Sequence, residues 1–214
     1  MKAKKVLALM LAAIMLVCTS VAATIAYFTD SKQVVNTFTV GKIAIKLDET
    51  KVDEYGAPTQ GRTETGNDYK LIPGHTYTKD PTVTLAADSE SAYIRILVTV
   101  TDLADVKAVL GTDAATGYFL PQNFVSGWDS TIWQTTNIVK EDSDTATYEF
   151  RYYTAVNTVD AAEKELEPLF TSFTIPAAVT ADNLLKLEEM EINIVAHAMQ
   201  AGTFDNADEA WAQF

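Results

Sequence analysis

The stretch Tyr93-Ile94-Arg95-Ile96-Leu97-Val98-Thr99-Val100-Thr101 alternates with period two. Ile94, Ile96, Val98 and Val100 fall on one side, Tyr93, Arg95, Leu97 and Thr99 on the other. Successive side chains of a strand point to opposite faces, so this spacing predicts a half-buried β-strand and not a helix. The same pattern recurs outward in both directions. Ile43, Ile45 and Leu47 alternate with Lys42, Ala44 and Lys46, and Val83 and Leu85 alternate with threonines. Tyr148, Phe150 and Tyr152 alternate with Glu149, Arg151 and Tyr153. Phe173 and Ile175 open a short strand, and Ile192, Ile194, Ala196 and Ala198 make the last one. β-Branched and aromatic residues fill these runs, which suits a pleated, half-buried surface.

Helical signals are short and lie between the strands. Asp102 is placed to cap Leu103 to Leu110 before Gly111, and Thr180 to cap a turn carrying Leu184, Leu185 and Leu187. Asn206 with Glu209 three residues later reads as a capping box that opens a last helix bearing Trp211 and Phe214. Many strands without regular β-α alternation predict an all-β fold, an antiparallel sandwich with short helical insertions. Asp48 to Asp68, rich in Gly, Thr, Glu and Asp, reads as a long exposed loop.

The N-terminus carries a different signal. Met1-Lys2-Ala3-Lys4-Lys5 is a compact positive region, followed by 21 uncharged, mostly apolar residues from Val6 to Ala26. A run of that length also suffices for a permanent membrane anchor. Its small residues (Thr19, Ser20, Ala22, Ala23) favour a signal peptide over residues 1–26, cut between Ala26 and Tyr27, with a cut after Ala23 nearly as good. Residues 27–214 then form a single domain on the outer side of the membrane, secreted to the matrix or cell surface. Cys18, the sole cysteine, lies within the signal, so the mature chain is expected to have no disulfide and no thiol chemistry. Losing three lysines takes the formal charge from −13 to −16, which argues against a nucleic-acid partner and against anionic lipid.

Catalytic patterns are scarce. The two histidines, His75 and His197, show no His-Glu-x-x-His spacing, and Ser126 and Ser130 lie in no Gly-x-Ser-x-Gly context. The acidic clusters Asp142 to Thr145 and Asp205 to Glu209 lack the calcium-loop pattern and read as a turn and a helix cap. The expectation is a protein that is not an enzyme and holds no cofactor or metal.

Two stretches are more specific. Thr24-Ile25-Ala26-Tyr27-Phe28-Thr29-Asp30 is followed by Asn36-Thr37-Phe38-Thr39-Val40-Gly41-Lys42-Ile43, and Leu71-Ile72-Pro73-Gly74 precedes a Thr-rich strand with Lys79-Asp80. Together with the tail from Ala198 through Trp211, these resemble the TasA/camelysin family of exported Gram-positive proteins. From Leu103 to Pro168 the likeness is in strand pattern alone. The resemblance implies a jelly-roll-like sandwich, processing by a SipW-type signal peptidase, and a structural role at the cell surface or in the biofilm matrix. It also implies self-association into fibres, in company with other matrix proteins. There the segment after the cleavage site, about residues 28–36, leaves its own domain to complete a neighbour's sheet. Phe28, Thr29, Asp30, Val34 and Val35 are the donor-strand residues on that reading; the alternative is that the segment pairs within its own sheet, or frays. The family also implies a camelysin-like metallopeptidase as a second function. A third is a monomeric adhesin using Trp128, Trp133 and Tyr153 on an aromatic sheet face.

Overall fold

The computed structural model describes residues 29–31 and 42–214. Three of its longer strands are ones the alternation marks, while the similarly long β8 (Trp133–Glu141) falls outside the alternating runs. β6 (Ala92–Val100) pairs antiparallel with β9 (Ala146–Tyr152) on one side and with β12 (Ile192–Gln200) on the other. β8 (Trp133–Glu141) extends this sheet beyond β9, and β1 (Thr29–Ser31) lies against β12, giving the order β1-β12-β6-β9-β8. A second sheet runs β10-β5-β2-β3, built from β2 (Ile45–Val52), β3 (Pro58–Thr63), β5 (Thr82–Leu85) and β10 (Lys164–Glu165). A third, small sheet joins β4 (Thr76–Thr78), β11 (Ser172–Thr174) and β7 (Val125–Ser126). Every pairing among the described residues is antiparallel, so the fold is the all-β sandwich with short helices that the sequence predicts.

The core lies between the two larger sheets. Ile94, Ile96, Val98 and Val100 of β6 are buried, as are Tyr148 and Phe150 of β9, and they join Ile45, Val83 and Leu85 of the second sheet in one cluster. Each such side chain contributes about 1.5–3 kcal/mol on burial, so β6 alone supplies a large share of the driving force. Trp133 closes one end, fully buried, with its indole N–H donating to the carbonyl of Glu167 at 2.9 Å. Tyr77 and Phe173 stack at 5.0 Å under the third sheet and form a separate cluster with Ile175 and Val179.

The short helices are α1 (Leu103–Leu110), α2 (Ala181–Leu185) and α3 (Ala207–Trp211). Thr180 caps α2 through its side chain, and the Asn206 side chain accepts from the Glu209 N–H at 2.9 Å. The return bond of the expected capping box is shifted by one residue, because Glu209 accepts from the N–H of Asp205. Asp102 precedes α1 but makes no side-chain cap. It sits in the left-handed region (φ 54°), and the Leu103 N–H is satisfied instead by the carbonyl of Asp144 at 2.9 Å. A tertiary acceptor from the β8–β9 turn thus replaces the local one.

Asp102 as a cap is one expectation that fails, and the reading of Asp48 to Asp68 is another. Asp48 to Asp68 is not a long exposed loop: β2 runs through it to Val52 and turns back as β3, with Glu49 opposite Thr63 and Thr50 opposite Arg62. Its polar residues suit a strand here because distant charges meet them. Asp48 and Glu49 are both buried, bonded to Arg62 at 2.5 Å and to Lys79 at 2.7 Å.

Candidate functional site

The outer side of β12 is the feature most open to function. Along β6 this strand is paired over all nine residues, Ile192 with Val100 through Gln200 with Ala92. On its other side, among the described residues, only β1 pairs with it: Thr29 opposite Met199, Asp30 opposite Ala198, Ser31 opposite His197. Ile192 to Ala196 have no strand partner there among the described residues. Backbone N–H and C=O groups on such an edge form a template for an added strand. Of the donor-strand residues expected from sequence, Thr29 and Asp30 are brought to this edge, within their own chain's sheet. Phe28, Val34 and Val35, like the cleavage pair Ala26 and Tyr27 and the whole of residues 1–26, lie outside the described residues. Among the described residues no helix is long and apolar enough to cross a membrane.

Beside the first residues of β12 opens a cavity of about 180 Å³, walled by Leu47, Ile192 and Ile194 and reaching Asp48, Glu49 and Lys79. These charged groups form two linked clusters. Arg62 bridges Asp48 and Asp80, its Nη1 lying 2.9 Å from the Asp80 carboxylate, while Asp80 also accepts from the Thr50 N–H at 2.6 Å. Burial opposes the charge on Asp48, but hydrogen bonds from Lys46 and Arg62 outweigh it and hold that carboxyl below its ordinary range. Deeper in, Glu49 accepts from Lys79 on one oxygen and from the Asn67 carboxamide on the other, at 2.7 and 2.8 Å. Apart from Lys46 with Asp48, these partnerships could not be read from the sequence, because they join residues 14 to 30 positions apart. The paired charges of Lys79-Asp80 ahead of an apolar strand were the available signal.

On the opposite face of the five-stranded sheet, the C-terminus folds over β12. The Arg95 guanidinium lies between the rings of Trp211 and Phe214, at 4.5 and 4.3 Å from their centroids. Its Nε donates to His197 Nδ1 at 3.2 Å and its Nη1 to Glu149 at 3.0 Å. Glu149 also accepts from Arg151, which reaches on to Asp208 of α3. His197 is therefore a buried structural histidine. Desolvation, with the adjacent Arg95 charge, pushes its pKa down from 6.5 to about 4, so the ring is neutral and accepts at Nδ1.

The other sequence candidates are placed apart. His75 follows the Pro73-Gly74 turn, its Nε2 2.7 Å from the carbonyl of Tyr55. Asp142 accepts from the N–H groups of Asp144 and Thr145, the turn role expected of it. Among the described residues, no three His, Cys, Asp or Glu side chains are grouped to hold a metal ion. The aromatic trio divides: Trp133 is core, Trp128 is half-buried and donates to the Trp133 carbonyl, and Tyr153 is exposed. Compared with protein-family models, with curated proteins and with solved structures, the chain matches none.

Proposed function

We propose that this protein is an exported structural subunit of the cell surface or biofilm matrix, released by a SipW-type signal peptidase. It self-associates into fibres by donating the strand that follows its signal peptide. It acts by assembly, not catalysis. The observation that carries the reading is the β1–β12 pairing: among the described residues Thr29, Asp30 and Ser31, which follow Tyr27-Phe28 in the sequence, meet the outer side of β12. Backbone hydrogen bonds along a strand edge are the same whichever copy supplies the strand, so this pairing can be exchanged for the same strand of a second copy. Among the described residues Ile192 to Ala196 have no strand partner on this side, so they can receive more of a donated strand, and the half-buried Ile192, Ile194 and Val195 supply apolar contact. Asp30 and Ala198 stand opposite in register, and the mature chain contains no other cysteine to interfere. Mixing mature D30C with mature A198C should therefore give disulfide-linked dimers as fibres grow. Electron microscopy should show fibres from protein beginning at Tyr27 and monomers from protein beginning at Thr37. Equal polymerisation by both forms, or cross-linking confined to a single chain carrying both cysteines, rejects strand donation.

A further inference from the structure

Outside the assembly edge, the strongest unexplained chemistry is the chain of contacts Lys79–Glu49–Asn67. Lys79 and Glu49 are nearly sealed from water, with 8 % and 7 % of their side chains exposed. Glu49 holds the Lys79 amine on one oxygen at 2.7 Å and the Asn67 Nδ2 on the other at 2.8 Å. The Asn67 carbonyl oxygen in turn accepts from the Val52 N–H at 3.1 Å, and the Tyr69 ring lies 5.8 Å from the Lys79 amine. A structural ion pair needs only the first of these contacts. Together they place a nucleophile, a proton carrier, an amide and a donor on the amide oxygen in one largely buried site.

We propose that Lys79 and Asn67 become joined by an intramolecular amide bond formed by the folded chain itself. Glu49 takes a proton from the Lys79 ammonium, and the free amine swings across the carboxyl group onto Cγ of Asn67. The Nζ–Cγ bond forms while the Val52 N–H stabilises the oxygen that gains charge. The Cγ–Nδ2 bond then breaks, and Glu49 returns protons to the departing nitrogen, which leaves as ammonium. Ammonium plus carboxamide gives secondary amide plus ammonium, so atoms and charge balance with no oxidant or cofactor. The bond closes a covalent loop from residue 67 to residue 79 around β4 and anchors it beside β2, a staple available to a mature chain without disulfides.

The test is mass spectrometry of the purified full-length mature protein and its proteolytic peptides. The expected result is a protein lighter than its sequence by one ammonia, with a branched peptide joining Lys79 to Asn67. Asn67 precedes Asp68, and ring closure at that asparagine would shed ammonia as well, so K79R provides the discriminating control. Arginine keeps the charge opposite Glu49 but stays protonated, so K79R should have full mass, as should E49Q once circular dichroism shows it folded. Full mass in the wild type, absence of the branched peptide, or ammonia loss persisting in K79R overturns the proposal.

Discussion

Acid should loosen this protein through His197 before it acts on most carboxylates. In the fold the ring is buried under Phe214, 4.5 Å away, with the Arg95 cation on one nitrogen. Arg151 lies beyond Glu149, and among the described residues Glu149 is the neighbour that favours protonation. The pKa falls to about 4 from the ordinary 6.5, which the unfolded chain regains. A depressed pKa means the neutral ring is the form the fold prefers. Its stability contribution is therefore complete above about pH 6.5 and is lost as pH falls through 6.5 toward 4. Between pH 7 and pH 5 the loss is about 2 kcal/mol, and by pH 3 it approaches about 3 kcal/mol. The assay is urea unfolding at pH 7 and pH 5 of the wild type and of H197Q, which keeps a polar side chain but cannot titrate. The wild type should lose about 2 kcal/mol more than H197Q over that interval. Equal losses in the two proteins would show that His197 does not carry the acid sensitivity, and that the depressed pKa is wrong.

The remaining predictions concern single contacts. Gly56→Ala should be severely destabilising, because Gly56 has φ 77° and an added Cβ would stand 2.7 Å from the Tyr77 ring. Thermal unfolding at least several degrees below wild type is expected, and an unchanged midpoint would rule the clash out. Asn206→Ala removes the cap of α3 and should cost about 1 kcal/mol, with faster hydrogen exchange concentrated at Glu209, Ala210 and Trp211.

The strand inventory was legible wherever burial is one-sided. β6 reads directly because its inward residues are apolar and its outward ones mostly polar; β9 and β12 keep the same alternation of residue types although the C-terminus also covers part of their outward face, at Glu149, His197 and Met199. β2 beyond Leu47, and β3, were not legible, because their inward or half-buried positions carry Asp48, Glu49, Thr50 and Arg62. A charge in a strand becomes tolerable when its counter-charge is supplied from elsewhere in the chain, and local periodicity carries no record of Lys79 or Asp80 coming near. The candidate site divides in the same way. Its N-terminal segment is visible as a run of residues, yet which edge it meets depends on the pairing of residues 29–31 with residues 197–199.

The sequence by itself determined the alternation that makes an antiparallel β-fold, the turn at Asp142, the caps at Thr180 and Asn206, and the lack of a recognisable catalytic pattern. These depend on neighbours within a few residues, where pleat, turn and cap geometry are settled. Tertiary structure alone decided that Asp48 and Glu49 are buried, that Asn67 shares a carboxylate with Lys79, and that His197 is sealed beneath Arg95 and Phe214. Desolvation and ion pairing depend on which side chains converge in space, and convergence is a property of the packed sheets.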